Sequence, residues 1–125
     1  MAVTSKTMES LTSKQWASIN EVLDVFDFDK VEDHMQHVNW TWYHADADDE
    51  SERIPTSSEI RAALRNMLIR AYDGMNMWKK EEPDLQSPYW SSCGGFTVYV
   101  WPNDTCQAYF AVTDWWIDAE QLETL

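Results

Sequence analysis

The chain has 125 residues, 44% of them hydrophobic and eight of them tryptophan, enough for a core that needs neither disulfides nor a structural metal. Against 9 basic residues it sets 22 acidic ones, a formal net charge of −13. That excludes the basic footprint of a nucleic-acid or anionic-membrane binder and favours cationic partners. Two cysteines, Cys93 and Cys106, are too few for a disulfide framework. With no signal-peptide pattern and no membrane-length apolar run, the expected location is the cytoplasm.

Residues 1–11 are polar and aperiodic and read as a flexible tail ahead of one domain over 12–125. Thr12 or Ser13 caps a first helix carrying Trp16, Ile19, Val22 and Leu23. Asp27 caps a second, with Val31, Met35 and Val38 at helical spacing and an end near Val38. Residues 39–44 alternate, with Trp40 and Trp42 on one face, and read as a strand.

An acidic linker follows. Asp46, Asp48, Asp49, Glu50 and Glu52 have no apolar neighbours to draw them toward a core. Beyond it Thr56-Ser57-Ser58-Glu59 is a capping box, and Ile60, Ala63, Leu64, Met67, Leu68 and Ala71 form the apolar stripe of a third helix. Asp73-Gly74 is its expected stop. Residues 75–92 read as a loop.

Gly94-Gly95 opens a β-rich end with strands at 96–101 and 107–113 around Pro102-Asn103-Asp104-Thr105. A four-residue loop would set Tyr109 beside Val98 and mix the two faces. An odd loop of three or five residues instead groups Phe96, Val98, Val100, Ala108, Phe110 and Val112 on one face. Thr97, Tyr99, Trp101, Gln107, Tyr109 and Thr113 then share the other. Trp115 extends that aromatic row, and residues 118–125 suit a short helix. The expected fold is α+β: two to three helices packed on one face of a small antiparallel sheet that includes 39–44 and ends in a C-terminal β-hairpin.

Three surfaces are candidates for function. The first is the aromatic face of Tyr99, Trp101, Tyr109 and Trp115, suited to stacking on a ring or burial in a protein interface, a homodimer included. The second is the acidic set Asp46, Asp48, Asp49, Glu50 and Glu52, which with Asp24, Asp27, Asp29, Glu32 and Asp33 matches a basic protein groove in the manner of nucleic-acid phosphates. The third is an anion site from Arg61 and Arg65, four apart, with Tyr72 in the same stripe. Their plainer readings are a covered sheet face, a solvated charge run and local ion pairs.

Metal and catalytic patterns do not emerge. His34 and His37 lack further ligands at metal-site spacing. A calcium loop counted from Asp46 puts Ser51 and Ser57 where glycine and a carboxylate belong. No nucleophile elbow or phosphate loop accompanies the cysteines. No catalytic residue, metal or cofactor is expected.

The segments Phe26-Asp27-Phe28-Asp29-Lys30-Val31, Asn39-Trp40-Thr41-Trp42, Ile54-Pro55-Thr56-Ser57-Ser58-Glu59-Ile60-Arg61 and Cys93-Gly94-Gly95-Phe96 occur in that order. Across residues 19–117 the chain thereby resembles a group of small acidic α+β proteins encoded by bacteriophages and prophages. The resemblance carries over no functional residue. It implies a host cytoplasm and a binding protein that inhibits a host factor, in the manner of an anti-CRISPR or other anti-defence protein, by occluding a host protein with a basic surface. The alternative is a binder that sequesters a nucleotide signal through Arg61, Arg65 and the aromatic rings.

Overall fold

The structure, a computed structural model, describes residues 11–43, 52–112 and 115–118. Helix α1 (Ser13–Val25) begins at a capping box: the Gln15 N–H donates to Thr12 Oγ1, and the Thr12 N–H donates back to Gln15 Oε1. Helix α2 (Phe28–His37) is capped by Asp27, which accepts from the Lys30 N–H. It closes in a Schellman motif. Asn39 turns left-handed at φ 54°, the Trp40 N–H reaches Met35 O at 2.8 Å and the Asn39 N–H reaches Gln36 O at 3.3 Å. That turn, rather than a strand beginning at residue 39, aims Trp40 at the core.

Of the described part of the expected first strand, Trp42–Tyr43 (β1) forms a strand, and it pairs with Glu52–Arg53 (β2) in a two-stranded ladder of its own. It does not join the main sheet.

Helix α3 (Ser57–Glu81) starts at the predicted box, with the Glu59 N–H donating to Thr56 Oγ1 and the Thr56 N–H to Glu59 Oε1. The Ser57 N–H also donates to Glu32 Oε1 at 2.7 Å, which ties the start of α3 to α2 and sets a carboxylate at the positive helix end. The helix runs through Asp73-Gly74 to Glu81, so the expected stop is wrong. Gly74 serves packing instead: a Cβ built there would lie 2.7 Å from the Tyr89 ring. Glycine lets that ring approach the helix backbone closely.

The expected 75–92 loop is therefore mostly regular structure, ending in the strand Tyr89–Cys93 (β3). Phe96–Val100 (β4), Cys106–Val112 (β5) and Trp115–Asp118 (β6) complete an antiparallel meander in the order β3-β4-β5-β6. Residues 115–118 thus turn back as a further strand rather than prolonging β5. Residues 119–125, where a terminal helix is expected, lie outside the described residues.

All three helices lie on one side of this sheet. Val98 pairs with Ala108 and Phe96 with Phe110, so the connection is the odd, five-residue loop 101–105 that segregates the faces. Phe96, Val98, Val100, Ala108 and Phe110 are buried against Ile19, Leu23, Val31, Met35, Leu64 and Leu68. Each of these side chains except Ala108 contributes about 1.5–3 kcal/mol on burial.

Two further knots hold the layers together. Gln15 is 1% exposed, yet its amide is fully used: Nε2 donates to Asn76 Oδ1 (2.9 Å) and Asp104 Oδ1 (2.8 Å), while Oε1 accepts from the Thr12 N–H and Asn76 Nδ2. Tyr72 Oη donates to Asp104 O at 3.0 Å, so α1, α3 and the β4–β5 loop meet at Asp104. The other knot is aromatic. Phe96 packs on Phe26 and Phe110, and Trp40 stacks on Phe110 with centroids 5.5 Å apart. Trp40 and Trp42 close over the glycine turn, with Trp42 Nε1 donating to Gly94 O at 3.0 Å.

Gly94 and Gly95 have φ of 60° and 93°, the left-handed pair of a two-residue hairpin turn. A Cβ at Gly95 would lie 2.6 Å from Trp40 and 3.1 Å from Phe110. Gly95→Ala is therefore expected to cost about 2–4 kcal/mol, backbone strain plus an overpacked ring, read as a lower urea midpoint. Asp104→Ala leaves Gln15 Nε2 short of an acceptor in a buried setting. Its expected cost is about 1–3 kcal/mol on the same measurement, and an unchanged midpoint would show that the network is dispensable.

Candidate functional site

Away from the helices, the sheet presents the side chains that alternate with the core row. Trp90 sits opposite Tyr99, Tyr99 opposite Gln107, Ser92 opposite Thr97 and Thr97 opposite Tyr109. Together with Pro88 and Trp101, five of these residues (Thr97, Tyr99, Gln107, Tyr109 and Trp90) form an uncharged aromatic surface on β3–β5. At its centre is a depression of about 330 Å³ lined by Pro88, Thr97, Tyr99, Trp101, Gln107 and Tyr109.

The lining groups are oriented by one another. Tyr99 and Tyr109 meet edge to face at 5.7 Å, the geometry favoured by ring quadrupoles. Trp101 Nε1 donates to Gln107 Oε1 at 3.3 Å, and the Ser92 and Thr97 hydroxyls are 2.6 Å apart. Tyr99, Trp101 and Tyr109 remain half-buried, and Trp90 is 61% exposed. Of the expected 75–92 loop, 75–81 belong to α3, Pro88 borders the depression, and β3 extends the sheet sideways.

Three of the four predicted aromatic-face residues, Tyr99, Trp101 and Tyr109, thus line one depression. Trp115 opens β6, where the ladder pairs it with Val112, Trp116 with Ala111, Ile117 with Phe110 and Asp118 with Tyr109. The side chain of Trp115 lies outside what the structure describes. Trp90 was missed because 75–92 read as a loop. The signal lay in the run Tyr89-Trp90-Ser91-Ser92-Cys93 directly before Gly94-Gly95, which is a hairpin pattern.

The anion-site prediction loses its aromatic member. Tyr72 is wholly buried beneath α3, its hydroxyl is spent on Asp104, and burial pushes its pKa well above the ordinary tyrosine value. Arg65 lies 5.2 Å over the Trp16 ring, a cation–π contact, and Arg61 is exposed. The stripe that the sequence placed at the helix border points inward because α3 is packed on by the sheet and both other helices. Of the acidic set, Glu52 is exposed on β2, and Asp46, Asp48, Asp49 and Glu50 lie outside the described residues.

Cys106 is reached by Ser18, whose Oγ is 3.3 Å from its Sγ, and burial raises its thiol pKa, the reverse of what activates a nucleophile. His34 packs edge-on against Phe110 at 5.9 Å. Among the described residues no cluster of three or more His, Cys, Asp or Glu is placed to hold a metal ion, and no helix is long and apolar enough to cross a membrane. No protein-family model, curated protein or solved structure matches this chain.

Among the described residues Glu59 is the one carboxylate whose pKa the fold moves far. Hydrogen bonds from Arg53 at 2.7 and 2.8 Å, then the Thr56 N–H, hold it down at about 2 against an ordinary 4.5. A depressed carboxylate contributes stability that is fully present above pH 4.5 and is lost as pH falls through about 2. The pair is partly solvated, so that contribution is about 1 kcal/mol. Between pH 5 and pH 2, Glu59→Gln should show a shallower loss of stability than the parent chain in urea titrations. Parallel curves would place the acid sensitivity elsewhere.

Proposed function

We propose that this chain is a binding protein that occludes a basic protein surface by docking it on the aromatic face of β3–β5. The observation that carries this reading is the adjacency of Trp90, Tyr99, Trp101 and Tyr109 on the side of the sheet away from the helices. Rings of this kind dominate the desolvated centre of protein interfaces, whereas a monomer has no packing use for them in solvent. The partner is basic because the chain's −13 net charge attracts cations at long range and repels a second copy of itself. In the phage or prophage setting implied by the segment resemblance, the act is stoichiometric inhibition of a host factor. Sequestration of a nucleotide signal is the weaker reading, since Arg65 is drawn to Trp16 and Tyr72 is buried.

A photo-crosslinking residue in place of Tyr99 or Tyr109, with Arg70 on the exposed surface of α3 as control, tests this in host cells. The expected result is one discrete protein adduct from the two sheet positions and none from the helix. Tyr99→Ala with Tyr109→Ala should then weaken the purified complex by about tenfold or more while the fold survives. Adducts distributed equally over all three positions, or a complex indifferent to the double substitution and to salt, would defeat the reading.

A further inference from the structure

We infer that the β3 edge is a strand-addition site for an extended, arginine- or lysine-bearing segment of the partner protein. The inference rests on the binding reading above but concerns a different feature, the unpaired edge of the sheet rather than its face. Among the described residues strand β3 is paired on one side only, with β4. In a hairpin closed by Cys93 and Phe96 across a two-residue turn, Tyr89, Ser91 and Cys93 direct their N–H and C=O groups to β4. The N–H and C=O groups of Trp90 and Ser92 therefore point outward.

Exposed edges are ordinarily protected by a lysine, a proline, a bulge or a covering element. Pro88 ends the edge just ahead of β3, but within Tyr89–Cys93 there is no lysine, proline or bulge: the sequence is Tyr-Trp-Ser-Ser-Cys, and its five pairs with β4 run without interruption. Beside the strand, Trp78, Pro88, Tyr89 and Trp90 surround a second depression of about 350 Å³, with Trp78 and Tyr89 edge to face at 6.4 Å. An added strand gains main-chain hydrogen bonds from Trp90 and Ser92, and one of its side chains seats among these rings. Charge selects the occupant. The edge carries no charge of its own, so a segment flanked by arginine or lysine approaches a chain of net charge −13 without meeting a like charge at the ladder, whereas two copies of the chain repel.

The test uses the whole isotope-labelled chain and a seven-residue probe peptide of alternating arginine and valine, followed by amide exchange and chemical shifts. The expected result is protection of the Trp90 and Ser92 amides on titration, with binding about tenfold weaker when alternate peptide nitrogens are methylated and cannot donate. A glutamate–valine peptide should not bind. Ser92→Pro removes the outward N–H and should reproduce the tenfold loss, while Ser92→Ala, which loses only the hydroxyl, should bind as the parent does. Unchanged shifts at Phe96 and Phe110 report that both variants fold.

Equal binding of the methylated peptide would overturn the proposal, as would binding with no protection at Trp90 and Ser92. So would protection of those amides without peptide, whether in a monomer or in a concentration-dependent dimer. The Tyr99→Ala, Tyr109→Ala chain separates the two proposals. Retained peptide protection in that chain, together with crosslinking that ignores the sheet face, would sink the occlusion reading and leave the edge site standing.

Discussion

The arrangement of this molecule depends on the five-residue connection between β4 and β5. Its length sets Val98 against Ala108, and a slip of β5 by one residue would turn Tyr109 toward the core and Phe110 out of it. What fixes the length is Asp104. It sits at φ 69°, its N–H donates to Trp101 O, its carbonyl accepts from Tyr72 and its carboxylate accepts from the buried Gln15 amide. Lys79 closes the same loop from α3 by donating to Pro102 O at 3.0 Å. Gln15 and Asn76 would be expensive inside a core without these partners. The polar network and the sheet register therefore stabilise each other, and the outer aromatic row is a consequence of both.

The second organising element is the glycine turn between β3 and β4. Three of the sequence segments that read as separate short motifs meet around it or beside it. Phe26 and Phe28 stack at 5.9 Å, Phe26 meets Phe96 edge-on at 5.7 Å, and Trp40 and Trp42 lie on Gly94-Gly95. The fourth segment, around Thr56–Glu59, joins through Glu32 and the first amide of α3. These residues explain why the helices and the sheet assemble as they do. The side chains of Phe26, Phe28, Trp40, Trp42 and Glu32 are occupied in holding the layers together.

What could be read from the sequence follows from the range of each interaction. Caps at Thr12, Asp27 and Thr56 act over three residues, so local pattern locates them and the helices they start. The β4–β5 register was legible because only an odd loop separates aliphatic from aromatic side chains. Gly74 misled because its role lies in a ring fifteen positions away, Tyr89, which no local rule sees. Losing the end of α3 hid β3, and hiding β3 hid Trp90. The separate strand at 115–118 was missed for a related reason: β6 pairs back on β5, and counting along one strand cannot anticipate it. Tyr72 sits on a helix border where the period alone gives no answer, and the packing of α1 and the sheet against α3 turned it inward.

The outer face and the charge of the chain act at different distances. At physiological ionic strength exposed charges are screened beyond about 8 Å, so the −13 net charge shapes the approach of a basic partner more than the final contact. The aromatic rows on β3–β5 carry no ionised side chain, so closing a partner over Tyr99, Trp101 and Tyr109 removes no charge from water. Desolvating ion pairs at that centre would offset much of the gain from burying the rings. With no ionised side chain in the outer rows of β3–β5, attraction is electrostatic at range and apolar on contact there. On the proposed docking of a basic partner, the rate of encounter responds to salt, while the lifetime of the complex is set by the rings and, where a strand is added, by the β3 ladder.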